Sequence, residues 1–338
     1  MKYFFVILYF CSINITAQNI EYNFLRPSIS PKISNRSQIF KGQVREVNCN
    51  IQTFSDTNSQ ISDHMCWKFD QIGNLIYFGY TINGKNGDRY LYFFDGKNNL
   101  TSTEWYSETT NELFSITKYK YDEFNRLENI QEHNKRGDLL SERKFFYKNS
   151  SKPYKVHIHQ DNTIDLSNPD KFNSELSEIY ELEYDEKGNL VKWDYIHKRN
   201  KLQNSVKFVY DEKNRCILED NFNSELKYAF QYDFNDSDNS VTIYNYLRGV
   251  RRKFLYNKYH GDKIICVSDF KSTQTVIDKE YGYDDRGNLK FLTSNEDNKK
   301  FSKLEQDYTY DEFGNYLSIN KLFNGIKTEF KTFEYKYY

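Results

Sequence analysis

Seven times in one chain the same short frame recurs. An aromatic residue is followed by Asp, two free positions, Gly or Asn, and then Asn or Arg, usually with an apolar residue after it. The first copy is Phe69-Asp70-Gln71-Ile72-Gly73-Asn74-Leu75, and the frame returns at Phe94, Tyr121, Tyr184, Tyr210, Tyr283 and Tyr310. Degenerate copies begin at Tyr147, Tyr232, Tyr256 and Tyr335. Successive anchors lie 25, 27, 26, 37, 26, 22, 24, 27, 27 and 25 residues apart, so one unit with a period of about 26 residues builds most of the chain. A repeat of this kind makes each unit one supersecondary element that buries its apolar face against its neighbours.

The frame has a physical reading. Asp favours the first position of a type I turn because its carboxylate accepts nearby backbone N–H groups. Asp70, Asp95, Asp122, Asp185, Asp211, Asp284 and Asp311 hold that position. Three residues later stand Gly73, Asn98, Asn125, Gly188, Asn214, Gly287 and Gly314, the two residue types that best tolerate positive φ. A type I turn closed by a G1 bulge demands that conformation, so each copy predicts the tip of a β-hairpin.

The strand entering each tip carries a second pattern. Two residues before the anchor stands another large apolar residue, as in Trp67/Phe69, Tyr92/Phe94, Tyr119/Tyr121, Phe145/Tyr147, Leu182/Tyr184 and Phe208/Tyr210. Spacing of two puts both on one face. The residue between them is mixed, from Lys68, Lys120 and Glu183 to Phe93. One face is aromatic and the other partly wet. The expected fold is therefore all-β, an array of antiparallel β-hairpin repeats. Eleven units give roughly 22 strands, which laid flat at ~4.8 Å each would run to about 100 Å. Sheets that wide curl or split because strand twist accumulates, so the array is expected to form a long curved or coiled sheet, or a split sandwich, with the Tyr/Phe ladder inward.

The Tyr-Asp-x-x-Gly-Asn-Leu units resemble the YD repeats of bacterial Rhs-type proteins, from about Phe40 to Tyr338, most clearly at Tyr121, Tyr184, Tyr283 and Tyr310. The unit here is longer than that family's. The resemblance implies β-hairpins in curved or spiral antiparallel sheets at the cell surface, and the match is nearest to short secreted YD-repeat proteins.

The first residues suggest export. Lys2, the apolar run Tyr3 to Cys11 and Ile15-Thr16-Ala17 come in the order of a secretory signal, predicting a signal peptide over 1–17. Residues 18–39, with Pro27 and Pro31, read as a tether or cap segment before the repeat domain at 40–338. The interval from Tyr147 to Tyr184 holds about eleven extra residues, an excursion at about 149–177. Loops on rigid scaffolds often carry function, which makes this the favoured place for a specific site. In an oxidising compartment Cys49 and Cys66 are a possible disulfide, since they sit symmetrically about Asp56-Thr57-Asn58-Ser59; Cys216 and Cys266 read as small hydrophobes.

Charge narrows the partners. Lys and Arg total 47 against 48 Asp and Glu, so no basic excess points to nucleic acid. Mean hydropathy is −0.86, which excludes a polytopic helical membrane protein. A transmembrane barrel needs continuous aliphatic bands on its lipid face, and these strands are rich in Lys and Glu.

No Gly-x-Ser-x-Gly elbow, P-loop, dinucleotide fingerprint or His-Glu-x-x-His occurs. His157 and His159 alternate on one strand face near Asp161, a spacing that suits Zn²⁺, but no third ligand is apparent. Asp233 to Asn239 is acidic like a calcium loop without its central Gly and terminal Glu, and reads as a long hairpin tip. No metal or cofactor is expected. Trp105 and Trp193 lie outside the aromatic pairs and are the first candidates for stacking on a ligand, with a place in the core as the alternative. The sequence reading is an exported, non-enzymatic scaffold in the periplasm, at the cell surface or secreted, binding a glycan or an envelope or extracellular protein. Its rivals are an accessory or immunity protein of a toxin system and a hydrolase with a cryptic site.

Overall fold

A computed structural model describes Phe40 and residues 42–338, apart from 55–59, 108–109, 149, 161–174, 198–200, 224–226, 248, 271–275 and 297–299. The expected signal peptide and tether, and the polar part of the excursion, lie outside the described residues.

Every described element is a strand. The first eight are β1 (Val44–Phe54), β2 (Gln60–Phe69), β3 (Leu75–Ile82), β4 (Lys85–Phe94), β5 (Leu100–Tyr106), β6 (Leu113–Tyr121), β7 (Leu127–Asn134) and β8 (Leu139–Tyr147). Then come β9 (Pro153–Gln160), β10 (Glu175–Tyr184), β11 (Leu190–His197), β12 (Lys201–Tyr210), β13 (Cys216–Asn223), β14 (Lys227–Asn235) and β15 (Ser240–Leu247). The last are β16 (Val250–His260), β17 (Lys263–Phe270), β18 (Val276–Tyr283), β19 (Leu289–Glu296), β20 (Lys300–Tyr310), β21 (Tyr316–Phe323) and β22 (Ile326–Tyr337). No helix among the described residues is long and apolar enough to cross a membrane.

The turns form as their residues dictate. In the first tip the Asp70 Oδ1 accepts from the backbone N–H of Ile72 at 3.0 Å and of Asn74 at 2.8 Å. The Gly73 N–H donates to the Asp70 carbonyl at 3.1 Å, and the Asp70 N–H to the Asn74 carbonyl at 2.9 Å. The last two bonds recur at Asp95, Asp122, Asp185, Asp211, Asp284 and Asp311. Positive φ falls on Gly73 (+94°), Asn98 (+69°), Asn125 (+63°), Gly188 (+81°), Asn214 (+65°), Gly287 (+85°) and Gly314 (+87°). The ladder slips by one residue immediately before Phe69, Phe94, Tyr121, Tyr147, Tyr210 and Tyr310, the bulge that accompanies such a turn.

The opposite ends of several hairpins use other chemistry. Asn83-Gly84 and Asn324-Gly325 both carry positive φ across two-residue loops, with Ile82 paired to Lys85 and Phe323 to Ile326. That is the Asn-Gly preference of type I′ turns. Asn134 to Asp138 repeats the tip geometry with Asn and Asp exchanged and Gly137 at φ +91°.

The two faces differ as the alternation predicts. Phe69, Tyr119, Phe145, Leu182 and Phe208 are each at most 8 % exposed, whereas Lys68, Lys120, Glu183 and Val209 between the paired positions are exposed.

Each strand pairs antiparallel with its neighbour in sequence, and the ladder then joins end to end: β1 pairs β2 on one side and β22 on the other. Val47 faces Tyr335 and Cys49 faces Phe333, and the Lys336 Nζ donates to the Glu46 Oε1 at 2.6 Å. Beside this seam Val44, Val47, Phe69 and Leu75 form a buried cluster, flanked by Phe40, Trp67, Phe333 and Tyr335. The expected all-β array of antiparallel hairpins forms, and the expectation of a long curved or coiled sheet is corrected in one respect: its first and last strands pair with each other. The hydrogen-bonded ladder runs on from β22 to β1, so neither the first nor the last strand is left with a row of unpaired edge N–H and C=O groups. By compactness the chain falls into two units. One contains Ile179–Gly282 and Thr293–Phe301; the other contains the described residues before Ile179, with Tyr283–Leu292 and Ser302–Tyr338.

The turn account predicts that Gly188→Val destabilises the fold by about 1–2 kcal/mol, the cost of a β-branched residue at positive φ. Gly188→Asn stays within ~0.5 kcal/mol, because Asn holds the same place in three sister turns. Urea unfolding monitored by tyrosine fluorescence reads both.

Candidate functional site

The sixth template position ties each turn to itself and to a neighbouring hairpin. The Asn74 Nδ2 donates to the Asp70 Oδ2 at 2.9 Å and also reaches the Asn98 Oδ1. The Asn99 Nδ2 donates to the Asp95 Oδ2 at 3.1 Å and to the Asn125 Oδ1 at 2.7 Å. Asn189 bonds Asp185 and Asn214 in the same way. Where Arg replaces Asn the reach is longer. The Arg126 Nε donates to the Asp122 Oδ2 at 2.7 Å, while its Nη1 donates to the Ser150 carbonyl at 2.9 Å. Arg215 closes on Asp211 and meets Asp236 at 2.6 Å, and Lys213 also meets Asp236 at 2.6 Å. The acidic stretch Asp233 to Asn239 is thus the tip between β14 and β15, its carboxylate at Asp236 already paired.

Tyrosine hydroxyls make the second tie. Tyr121 donates to the Leu100 carbonyl at 3.2 Å, Tyr147 to Leu127 at 2.8 Å, Tyr210 to Leu190 at 2.9 Å, and Tyr335 to Tyr316 at 2.8 Å. Each carbonyl belongs to the first residue after the preceding turn. A phenylalanine would fill the same space without the bond, which explains why Tyr dominates the anchors. Late in the chain a further hydroxyl caps the turn Asp itself: Tyr310 donates to the Asp284 Oδ2 at 2.7 Å and Tyr337 to the Asp311 Oδ2 at 2.5 Å. Tyr337 therefore plays in the last copy the part Tyr310 plays in the one before.

Electrostatics follow from these ties. Burial alone would raise the Asp311 carboxyl, but hydrogen bonds from Tyr337 and Asn315 hold it below the ordinary carboxylate range. Asp284 follows, held down by Tyr310 and Asn288 against burial. Burial first and the bond to Asp311 second push Tyr337 up to about 12.

Trp193 is only 6 % exposed and lies opposite Val206, itself buried, so it belongs to the core and presents no face to a ligand. Trp105 is half-buried in an aromatic row across five strands. Trp67 meets Phe78 at 5.6 Å, Phe78 meets Tyr90 at 6.1 Å, Tyr90 meets Trp105 at 6.1 Å, and Trp105 meets Phe114 at 4.3 Å. The Trp105 Nε1 is buried without a hydrogen-bond partner.

The possible Cys49–Cys66 disulfide is corrected by the register of its own hairpin. Cys49 faces Met65 and Cys66 faces Asn48, one position out of step. Side chains alternate between faces, so that slip puts the two sulfurs on opposite sides of the sheet. The four described cysteines are free. Burial raises all four thiols, Cys49 and Cys216 to about 12, which keeps them protonated and poorly nucleophilic.

His157 and His159 share a face, opposite Lys144 and Glu142 respectively. The Glu142 carboxylate is 8 % exposed; its Oε1 accepts from the Asn129 Nδ2 at 2.9 Å and the Gln131 Nε2 at 2.8 Å, and its Oε2 pairs with the Lys144 Nζ at 3.0 Å. Burial would raise this carboxyl, and those three partners bring it below its ordinary value. His157 packs against Phe146 at 4.7 Å. Among the described residues no three His, Cys, Asp or Glu are placed to hold a metal ion. The sequence alone does not single out Glu142, whose only signal is a carboxylate on β8 facing two amides of the adjacent β7.

No protein-family model matches the chain, and no curated protein matches it. Among solved structures it is similar to a porin-like protein of Bacteroides uniformis, at 8% identity over 88% of this chain and 98% of that one, with a TM-score of 0.27. A porin-like protein of Bacteroides vulgatus is similar at 7% identity over 85% and 97%, with a TM-score of 0.24. The Tc holotoxin pore of Photorhabdus luminescens is similar at 8% identity over 84% of this chain and 26% of that one, with a TM-score of 0.22. Superpositions this loose carry no argument about fold or function.

Two outcomes follow. The Asp284 and Asp311 carboxyls have folded values below their unfolded ones, so the stability they add is complete above pH ~4 and is lost as pH falls through the depressed values. Thermal melts from pH 7 downward therefore lose stability below pH ~4, and Asp311→Asn makes that decline shallower. Peptide mapping without reductant, after alkylation of the unfolded chain, finds Cys49 and Cys66 each alkylated and no peptide joining them.

Proposed function

We propose that the chain is an exported, non-enzymatic β-hairpin-repeat scaffold related to the YD-repeat proteins, acting as a binding module in the cell envelope or outside the cell. The observation that carries this reading is the fate of the repeated Asp. Each turn carboxylate, the reactive group that recurs through the repeats, accepts backbone N–H bonds of its own turn, and the sixth-position Asn or Arg clasps it. A carboxylate so engaged is a poor general acid or base near neutral pH. What repeats serves rigidity, and recognition falls to what does not repeat.

The wet face supports contact with water rather than lipid acyl chains. Lys118, Lys120 and Lys207 stand exposed within their strands, and a Lys at the bilayer midplane on a barrel's lipid face costs about 2–4 kcal/mol. The signal-like first residues support export. The aromatic row ending at half-buried Trp105 and exposed Phe114 supports a sugar or protein ligand, because accessible aromatic faces stack on sugar rings and grip protein partners.

Purified residues 18–338 passed over envelope polysaccharides, and separately over solubilised envelope proteins, test this. Saturable retention on a polysaccharide that falls in a folded Trp105→Ala variant is the expected result for a glycan-binding module. Capture of one protein at fixed stoichiometry supports a protein-binding module of the accessory kind. Two empty columns overturn the binding reading.

A further inference from the structure

The end of one hairpin departs from the rest in both charge and exposure. Leu247-Arg248-Gly249-Val250-Arg251-Arg252-Lys253-Phe254 brings four cations together in six residues of a chain with net charge −1. Gly249 has φ +78°, and Leu247 is paired to Val250. Val250 to Phe254 are exposed without interruption, although neighbouring residues in a strand point to opposite faces. Both faces of this stretch therefore meet solvent. Val250 to Lys253 pair with β15, Phe254 is the bulged residue between Lys253 and Leu255, and the described pairing of β16 with β17 starts at Leu255, facing Asp269.

The side chains sort by distance from the sheet. At the root, Phe254 packs on Phe230 at 5.8 Å, and the Lys253 Nζ lies 4.3 Å from the Phe270 ring. The Arg251 guanidinium lies 3.6 Å over the Tyr244 ring and pairs with Asp233 at 2.9 Å. Further out, Leu247 is 42% exposed and Val250 52% exposed. Arg252 is exposed, and no carboxylate among the described residues pairs with it. Two bare aliphatic side chains at a tip, with cations directly behind them, match the chemical gradient of an anionic bilayer surface. The aliphatic groups enter the headgroup boundary while the cations stay level with the phosphates. An anionic polysaccharide would use the cations and leave Leu247 and Val250 in water. The apolar tip decides between them.

We propose that the β15–β16 hairpin end is a membrane-surface contact that binds phosphate-bearing, net-negative lipid headgroups through Arg251, Arg252 and Lys253, with Leu247 and Val250 inserted at the boundary. It is a peripheral contact, and it holds for the purified chain whether or not the binding-module reading stands.

Co-sedimentation of residues 18–338 with vesicles of phosphatidylcholine, with and without phosphatidylglycerol, tests it. Binding is expected only to the vesicles containing phosphatidylglycerol, and it weakens as salt is raised. Arg252→Glu reduces partitioning roughly tenfold or more, since each cation near such a surface is worth about a factor of five. Val250→Ser also lowers partitioning, whereas Lys120→Glu, with the same change of net charge on another exposed strand, leaves it unchanged. All three positions are exposed, and far-ultraviolet circular dichroism establishes that each variant is folded. The proposal is overturned if no vesicle binds, if phosphatidylcholine alone binds equally, or if Lys120→Glu matches Arg252→Glu. Binding to soluble dextran sulfate that needs Arg252 but not Val250, with vesicles inert, would reassign the hairpin to polyanionic sugars.

Discussion

The architecture depends on one small clasp, an Asp side chain holding the backbone of its own turn. The Asp70 Oδ1 takes the N–H groups of both Ile72 and Asn74, which stabilises the backbone that puts Gly73 at positive φ. That conformation forces the one-residue slip beside Phe69. The slip decides which face the anchor ring occupies, because register and facing are the same variable in a strand. Only then do the anchor hydroxyls meet the carbonyls that follow the preceding turns. A two-atom contact at the hairpin end thus sets the aromatic face along the whole strand and links each repeat to the one before it.

Closure is the second constraint, and no single repeat specifies it. A hairpin array has nearest-neighbour contacts only, and its two ends would each expose an unpaired strand. The pairing of β1 with β22 removes both ends at once. The seam differs from the repeats in composition: β1 contributes Val47, Cys49 and Ile51, all buried, where incoming strands elsewhere bring aromatic pairs. Small side chains on one strand accept Phe333 and Tyr335 from the other, so the final, oversized aromatic strand finds its complement in the first.

Local features were legible in the sequence because local chemistry causes them. Asp at one position and Gly or Asn three residues later have one good explanation, and alternation of aromatic and wet residues has another. Asn83-Gly84 and Asn324-Gly325 were equally legible as type I′ turns but lay outside the template that drew attention to the other end of each hairpin. What could not be read was register between segments joined by a loop of uncertain geometry. Cys49 and Cys66 are nearly symmetric about their loop, and a slip of one residue reversed the conclusion drawn from them. Closure was out of reach for a related reason: the pairing of Glu46 with Lys336 spans the whole domain, and nothing in either segment names the other. Trp193 shows the same limit, for burial at that strand position depends on Val206 across the ladder.

Repetition also explains where distinctive chemistry has to appear. In an open array the terminal units must be altered to cap exposed apolar faces. A closed array has no terminal unit, so departures from the repeat are free of that duty. The departures here fall into two kinds. Some are filled from within: Glu142 is surrounded by Asn129, Gln131 and Lys144, and Asp236 by Lys213 and Arg215. Others are left open, and Val250 with Arg252 is the clearest case, since both are exposed to solvent and no carboxylate among the described residues pairs with Arg252. Groups that lower their energy inside the fold explain themselves; groups that would lower it only by meeting something outside the fold are where recognition is to be sought.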